Sequence, residues 1–377
     1  MYRIGVGRTV RMLFALGILL ATFAGRGIPL ASAAGQPGAV YALSNSPAGN
    51  AVVVWNRASD GTLTLAASYP TAGLGTGAGL GSQGAVILSE DNRWLFAVNA
   101  GSNDISVFRV SPDGLSHTNR IASGGTRPTS LTVHGNLLYV LNAGDSGNIT
   151  GFIVGDDGTL AQLPDSTRPL SGQAAAPAQV QFSPDGRLLV VTERATGSID
   201  TYVVGEDGRA TGPVVQLSSG AVPFGFAFGK RNQVFVSEAG GAPNGLSAAS
   251  SYRIGPDGTL AVVSGSIGTH QVAACWLVVT NNGRYAYTAN AGSGSISGYS
   301  IDQEGSLSLL DADGRTGITG DASGPADMAF SLDNQYLYVR NGRTGTIGAF
   351  TVQVDGSLRA LASGTGLPGG SAGLAAR

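Results

Sequence analysis

The chain has 377 residues, of which 42% are hydrophobic and 12% charged, and it contains 59 glycines. This apolar content excludes general disorder, whereas the low charge and high glycine content favour many short strands and tight turns over helices. The net charge of −2 includes a single lysine, Lys230, so the chain lacks the basic stripe that nucleic-acid binding requires. The one cysteine, Cys275, excludes an intrachain disulfide, and its apolar surroundings predict a small buried side chain.

The first 33 residues have the pattern of a secretory signal peptide. Three arginines lie within residues 1–11, an apolar run follows from Met12 to Gly25, and Ala31-Ser32-Ala33 has the small-x-small pattern of a cleavage site. The apolar run spans about 14 residues, fewer than the roughly 20 that a membrane-spanning helix needs. We therefore predict a signal peptide over residues 1–33, a single domain over residues 34–377, and a secreted or periplasmic protein without membrane association after cleavage. Loss of four arginines and no acidic residue would bring the net charge to about −6.

The remaining chain repeats one unit about every fifty residues. A typical unit has an apolar segment that ends in Asn or Glu, a gap rich in Gly and Ser, a segment I-x-x-aromatic-x-V, and a D-G-x-L turn, which is E-G-x-L in the sixth unit. In the second unit these are Leu95–Asn99, Ile105–Val110 and Asp113–Leu115. The turn glycines of the seven units are Gly61, Gly114, Gly158, Gly208, Gly258, Gly305 and Gly356. Seven all-β units of this length predict a seven-bladed β-propeller with four-stranded blades.

Two features of the repeat extend this prediction. One aromatic residue recurs in the third strand of each of the second to seventh units and is expected to pack between blades; the set is Phe108, Phe152, Tyr202, Tyr252, Tyr299 and Phe350. The first unit begins directly with a second-type strand, Val40–Leu43, and the chain ends with an unpaired first-type segment, Gly369–Ala376. We predict that this C-terminal strand completes blade 1 and closes the ring, which removes an exposed sheet edge.

In an up-and-down blade, the ends of all second strands lie on one face of the ring, here called the top face. The residues at these ends are Ser44 or Asn45, Asn99, Asn142, Glu193, Glu238, Asn290 and Asn341. The asparagines can cap strand ends and bond loop backbone groups. Glu193 and Glu238, in adjacent blades, can share a proton, act as a general base, bind a cation, or be solvated surface acids.

Other motifs carry less chemistry. His270 is the one histidine in a predicted top loop, which excludes a His-rich metal site, and we expect neither metal nor cofactor. The segment Gly79–Gly84 matches G-x-G-x-x-G, but a strand (Ala85–Leu88) follows it where a dinucleotide site needs a helix. Gly369–Gly373 matches G-x-S-x-G but lies in the C-terminal tail and not at a strand–turn–helix elbow.

The units P-x-x-h-x-F-S-P-D-G-R-x-L-x-V, followed by D-G-x-L, resemble the bacterial seven-bladed lactonase family, which includes 6-phosphogluconolactonase-like and carboxymuconate-cyclase-like propellers. The resemblance covers nearly the whole chain after residue 33 and implies hydrolysis of a small cyclic ester at the top of the central channel. Members typically start blade five with Pro-Arg-His and end the next strand with Glu. Glu238 matches that Glu, whereas the start of blade five reads Pro223-Phe224-Gly225.

Two functions are therefore open. The first is an exported hydrolase of an unphosphorylated lactone, because metabolism of phosphorylated sugar lactones is cytoplasmic. Glu238, with Glu193, would deprotonate water, and His270 would assist. Residues for ligand binding or oxyanion stabilisation would be Asn99, Asn142, Asn290, Asn341, Arg340 and Gln179. The alternative is a non-catalytic, monomeric propeller that binds a small ligand or a protein partner on its top face.

Overall fold

The described residues form 31 β-strands in seven antiparallel sheets. The computed structural model describes residues 37–240 and 246–377, together with Met1, Tyr2 and Gly5. Apart from these three residues, the predicted signal peptide lies outside the described residues, and it stays a prediction. No helix in the described part of the chain is long and apolar enough to cross a membrane.

The strands follow the repeat in chain order. Blade 1 contains β1 (Gly38–Leu43), β2 (Ala51–Arg57) and β3 (Leu63–Pro70). Blade 2 contains β4 (Val86–Leu88), β5 (Trp94–Asn99), β6 (Asp104–Ser111) and β7 (Gly114–Ala122). Blade 3 contains β8 (Pro128–His134), β9 (Leu137–Asn142), β10 (Asn148–Val154), β11 (Leu160–Gln162) and β12 (Arg168–Pro169). Blade 4 contains β13 (Pro177–Phe182), β14 (Leu188–Glu193), β15 (Ser198–Val204) and β16 (Ala210–Leu217).

The second half repeats this order. Blade 5 contains β17 (Pro223–Phe228), β18 (Gln233–Glu238), β19 (Ala248–Ile254) and β20 (Leu260–Gly268). Blade 6 contains β21 (Ala274–Val279), β22 (Tyr285–Asn290), β23 (Ser295–Ile301), β24 (Leu307–Leu309) and β25 (Gly317–Ile318). Blade 7 contains β26 (Pro325–Phe330), β27 (Tyr336–Asn341), β28 (Thr346–Val352), β29 (Leu358–Ala360) and β30 (Gly364–Thr365). In blades 3, 6 and 7 the outer strand is split into two short pieces that both pair with the third strand.

The last strand closes the ring, as predicted. β31 (Ala372–Ala376) pairs antiparallel with β1 and becomes the innermost strand of blade 1. It also contacts the innermost strands β4 and β26 of the two neighbouring blades. The sequence-based fold, a seven-bladed propeller latched by its C-terminus, is therefore confirmed.

Packing between blades explains the burial pattern. The second strands of blades 2, 4, 5, 6 and 7 are buried along their whole length, because each blade is covered on both faces by its neighbours. In outer strands such as β16, most side chains are exposed or half-buried. The six third-strand aromatics predicted to pack between blades are all buried.

Tyrosine hydroxyls add a recurring bond between neighbouring blades. The hydroxyls of three second-strand tyrosines donate to turn-glycine carbonyls of the next blade; the pairs are Tyr139–Gly208, Tyr287–Gly356 and Tyr338–Gly61. The seven turn glycines all have positive φ, which the D-G turns require.

Candidate functional site

The ring of polar residues on the top face is present but buried. In blades 2 to 7 the last residue of the second strand is, in order, Asn99, Asn142, Glu193, Glu238, Asn290 and Asn341, and none is more than 1% exposed. Their side chains therefore bond to other parts of the protein and do not project into solvent.

The Glu238 carboxylate is surrounded by four hydrogen-bond donors. Its carboxylate accepts hydrogen bonds from Ser218 Oγ (3.1 Å), Gly220 N (2.7 Å), Ser250 Oγ (2.6 Å) and Ser266 Oγ (2.8 Å). Ser218 and Gly220 belong to the loop that enters blade 5 from blade 4, so the carboxylate fastens this connection. A carboxylate whose lone pairs already meet four donors is a poor general base.

Glu193 fastens the equivalent loop before blade 4 and has a second acid beside it. Its carboxylate accepts bonds from the backbone N–H of Ser171 (3.0 Å), from the hydroxyl of Ser171, and from Thr196 Oγ1 (2.7 Å). The neighbouring Asp200 is fully buried, and neither of its oxygens meets a donor among the described residues. Burial, followed by the adjacent Glu193, raises the pKa of Asp200 to about 8. Burial therefore favours the protonated form of Asp200 beside Glu193, and the pattern of strand ends alone did not indicate Asp200.

The asparagines of the ring have structural contacts of the same kind. Asn99 accepts a bond from Thr71 Oγ1 (2.7 Å), and Asn142 donates to the backbone carbonyl of Ser123 (3.2 Å). Both partners lie in loops that enter the blade, which agrees with the capping interpretation. The Oδ1 atoms of Asn142, Asn290 and Asn341 are buried and meet no donor among the described residues.

The other predicted site residues are dispersed. Arg340 is buried and forms an ion pair with Asp327 at 3.2 Å, close to Ser371 in the segment before the closing strand. His270 is exposed in the loop between β20 and β21. Cys275 is half-buried, and burial raises the pKa of its thiol to about 12, so the thiol stays protonated at neutral pH.

Gln179 connects two blades at the channel wall. Its amide donates to the carbonyl of Phe226 (2.9 Å) and accepts from the N–H of Phe226 (2.7 Å), which joins β13 to β17. The predicted ligand-binding and catalytic roles of all these residues stay predictions.

The upper end of the central channel is filled by the chain itself. Residues 79–84, here called the plug segment, connect blade 1 to blade 2 and cross the channel. Ser82 Oγ donates to the carbonyl of Thr129 in blade 3 (2.7 Å), and Trp276 Nε1 of blade 6 donates to the carbonyl of Ser82 (3.0 Å). This is the same G-x-G-x-x-G segment that sequence analysis excluded as a dinucleotide site.

Gln83 of the plug segment bonds to two blades across the channel. Its backbone N–H donates to the carbonyl of Ala178 in blade 4 (3.0 Å). Its side-chain amide then forms two bonds with the backbone of Leu277 in blade 6, at 2.9 Å and 3.1 Å. A Cβ placed on Gly225 of blade 5 would overlap Gln83 Oε1. Gly225 is the position at which the lactonase pattern has histidine, so the plug segment uses the space that this histidine would fill.

Below the plug segment the channel is open. A cavity of about 550 Å³ is lined by the innermost strands of all seven blades and extends from Gln83 and Gln179 at its upper end to Glu90 and Asn281 at its lower rim. Polar and apolar atoms form nearly equal parts of its wall, and Glu90 is the one charged residue in the lining. The described residues contain no group of three or more His, Cys, Asp or Glu side chains that could hold a metal ion.

Solved structures with low sequence identity share this architecture. A periplasmic gluconolactonase from Pseudomonas aeruginosa superposes with a TM-score of 0.69 at 17% identity, over 90% of this chain and 99% of that chain. A protein from Lactobacillus plantarum gives a TM-score of 0.71 at 16% identity, over 90% and 99% of the two chains. A candidate 6-phosphogluconolactonase from Bacteroides fragilis gives 0.67 at 18% identity, over 90% and 98%. These likenesses establish the fold.

Sequence comparison establishes the family. Among functionally curated proteins, no sequence matches the chain significantly. The family model of the seven-bladed β-propeller lactonases matches residues 48–172 and 231–321, more than half of the chain. The unmatched stretch between these ranges contains blade 4 and the Pro223-Phe224-Gly225 segment that departs from the lactonase pattern. On this match, and with the seven-bladed fold, the chain belongs to the family of seven-bladed β-propeller lactonases.

Proposed function

We propose that this family member binds a small molecule without hydrolysing it, and that it acts outside the cytoplasm. The observation that carries the proposal is the plug segment, because Gln83 occupies the upper channel and bonds to blades on its far side. A lactone cannot occupy the same space while the plug segment is in place.

The candidate bases support the same proposal. Glu238 accepts four hydrogen bonds and is fully buried, and Glu193 is buried beside Asp200. A general base must reach the water that it deprotonates, directly or through one further water. Phe224 and Gly225 also take the positions of the Arg and His in the lactonase pattern, so no imidazole stands there to take over the role.

Hydrolysis of an unphosphorylated lactone is the second candidate, and the family match favours it. In that case Glu238 would be the base, with Glu193 and the ring asparagines as further site residues. This function requires the plug segment to leave the channel, so that substrate can approach the top face.

Hydrolysis assays distinguish the two candidates. The rate of hydrolysis of a panel of γ- and δ-lactones would be measured by pH-stat titration. We expect this rate to be the same with the protein as in buffer alone. Hydrolysis that persists in Glu206→Gln, a change in an exposed turn, but is lost in Glu238→Gln would contradict the proposal and favour the enzyme. Because Glu238 is buried, the melting temperature of each variant must be measured in parallel.

The extracellular part of the proposal rests on the N-terminal sequence pattern. The name of the P. aeruginosa neighbour, a periplasmic gluconolactonase, is consistent with it. Export predicts that the protein recovered from the periplasm or medium of its host lacks residues 1–33, which its intact mass would reveal; a retained N-terminus would contradict export.

A further inference from the structure

We infer that the channel below the plug segment is a binding site for one neutral molecule that carries a hydrogen-bond acceptor such as a carbonyl. The site differs from the top-face site that the lactonase resemblance implies. The inference rests on the proposed function in that it supplies the location and chemistry of the small-molecule site.

The plug segment turns an open channel into a blind chamber. Gln83 closes its upper end, and the seven innermost strands enclose it down to the lower rim. Its volume of about 550 Å³ lies within the range of small-molecule pockets, roughly 300–1,000 Å³. The chamber can therefore enclose a ligand that enters from the lower face.

One level of the chamber wall shows which ligand chemistry fits. The innermost strand of each blade contributes one residue at this level, and all but one of these residues are short or apolar; they are Ile87, Thr132, Ala227, Val278, Ala329 and Ala375. The exception is Gln181 in blade 4, which is half-buried. Because the side chains at this level are uncharged and only one of them carries an amide, they favour a neutral ligand that has a polar group.

Neighbouring bonds set the orientation of the Gln181 amide. Both atoms of the Gln179 amide are bonded to the backbone of Phe226, so its Nε2 and Oε1 are distinguished. The Gln179 Nε2 also donates to Gln181 Oε1 at 3.2 Å. Gln181 therefore directs its NH2 group away from Gln179, and this group donates to no partner among the described residues. An NH2 group of this kind matches an acceptor on the ligand.

A fluorescence titration tests the inference. The probe is 6-propionyl-2-(dimethylamino)naphthalene, a neutral aromatic ketone whose emission moves to the blue in apolar surroundings. We expect one probe per protein molecule. Ala329→Phe, which fills the chamber, should weaken binding at least tenfold, whereas the matched change Ala261→Phe on the exposed outer strand β20 should leave it unchanged.

Gln181→Leu tests the polar contact and keeps the chamber volume similar. Loss of one hydrogen bond should raise the Kd about three- to tenfold and move the bound emission further to the blue. Gln181→Glu should weaken binding more, because a carboxylate repels the ketone oxygen. Circular dichroism would verify that each variant is folded.

The outcomes separate this inference from the proposed function. The chamber site is overturned if the probe does not bind, or if Ala329→Phe and both Gln181 variants bind it with wild-type affinity. Neither result bears on the absence of hydrolysis, which the lactone assay tests separately. Lactone hydrolysis that depends on Glu238, together with intact probe binding, overturns the non-hydrolytic function and supports the chamber.

Discussion

The third residue of the third strand is a serine in blades 2, 5 and 6, namely Ser106, Ser250 and Ser297. Each serine donates a hydrogen bond to the last residue of the second strand in its own blade, or accepts one from it. Blade 4 has Asp200 at this position, opposite Glu193. Burial, followed by the adjacent Glu193, raises the pKa of Asp200 to about 8, because both disfavour its charged form.

This pair makes stability depend on pH. The folded-state pKa of Asp200 lies above its ordinary value of 3.8, so its stabilising contribution is complete below about pH 4 and is lost as the pH rises towards 8. Asp200→Asn supplies a donor that needs no proton. We expect this variant to melt on the order of 2–5 °C higher than wild type at pH 8 and the difference to shrink towards pH 4.

Calorimetry at several pH values provides the measurement. Asp156→Asn, in an exposed turn, is the control and should leave the melting temperature nearly unchanged across the range. A difference between Asp200→Asn and wild type that is the same at pH 5 and pH 8 would refute the raised pKa of Asp200.

At the scale of elements, the plug segment depends on one glycine in a neighbouring strand. A Cβ at Gly225 would overlap Gln83 Oε1 and would also lie 2.9 Å from the carbonyl oxygen of Cys275. Gly225→Ala should therefore displace Gln83 and lower the free energy of unfolding by about 1–3 kcal/mol.

Gly79→Ala is the matched control, because a Cβ there would meet no atom within 4 Å. Denaturant unfolding of the two variants would measure the difference. Equal stability of Gly225→Ala and Gly79→Ala would mean that the plug segment does not pack against blade 5 in solution.

At the scale of the whole molecule, ring closure depends on the last ten residues. β31 supplies the inner strand of blade 1, and the backbone carbonyl of Arg377 accepts bonds from the Arg57 side chain at 3.0 Å and 3.1 Å. Deletion of every residue after Leu367 would expose the inner edge of β1 to the channel and remove contacts with blades 2 and 7.

We expect this deletion to lower the melting temperature by about 10 °C or more. A synthetic peptide of residues 368–377, added in excess, should restore part of the loss because it can pair with β1. An unchanged melting temperature after the deletion would show that blade 1 does not need β31.

Much of the architecture could be predicted from the sequence. The seven turn glycines, the alternation of apolar and polar residues and the unpaired C-terminal segment predicted the blade number, the strand order, the closing strand and the ring of residues at the top-face strand ends. These features are local patterns that recur in each unit, so hydrophobic burial and turn geometry are sufficient to determine them.

The chemistry of the channel was decided by the tertiary structure alone. Gln83 meets Leu277, and Gln179 meets Phe226, across distances in the chain that no repeat pattern encodes. The alternation in Val180-Gln181-Phe182 marked Gln181 as polar, but only its bond to Gln179 directs its NH2 away from that residue. Periodicity determines which face of a strand is buried. Contacts across the channel depend on the radius of the closed ring and on the path of the plug segment, and both exist only in the folded protein.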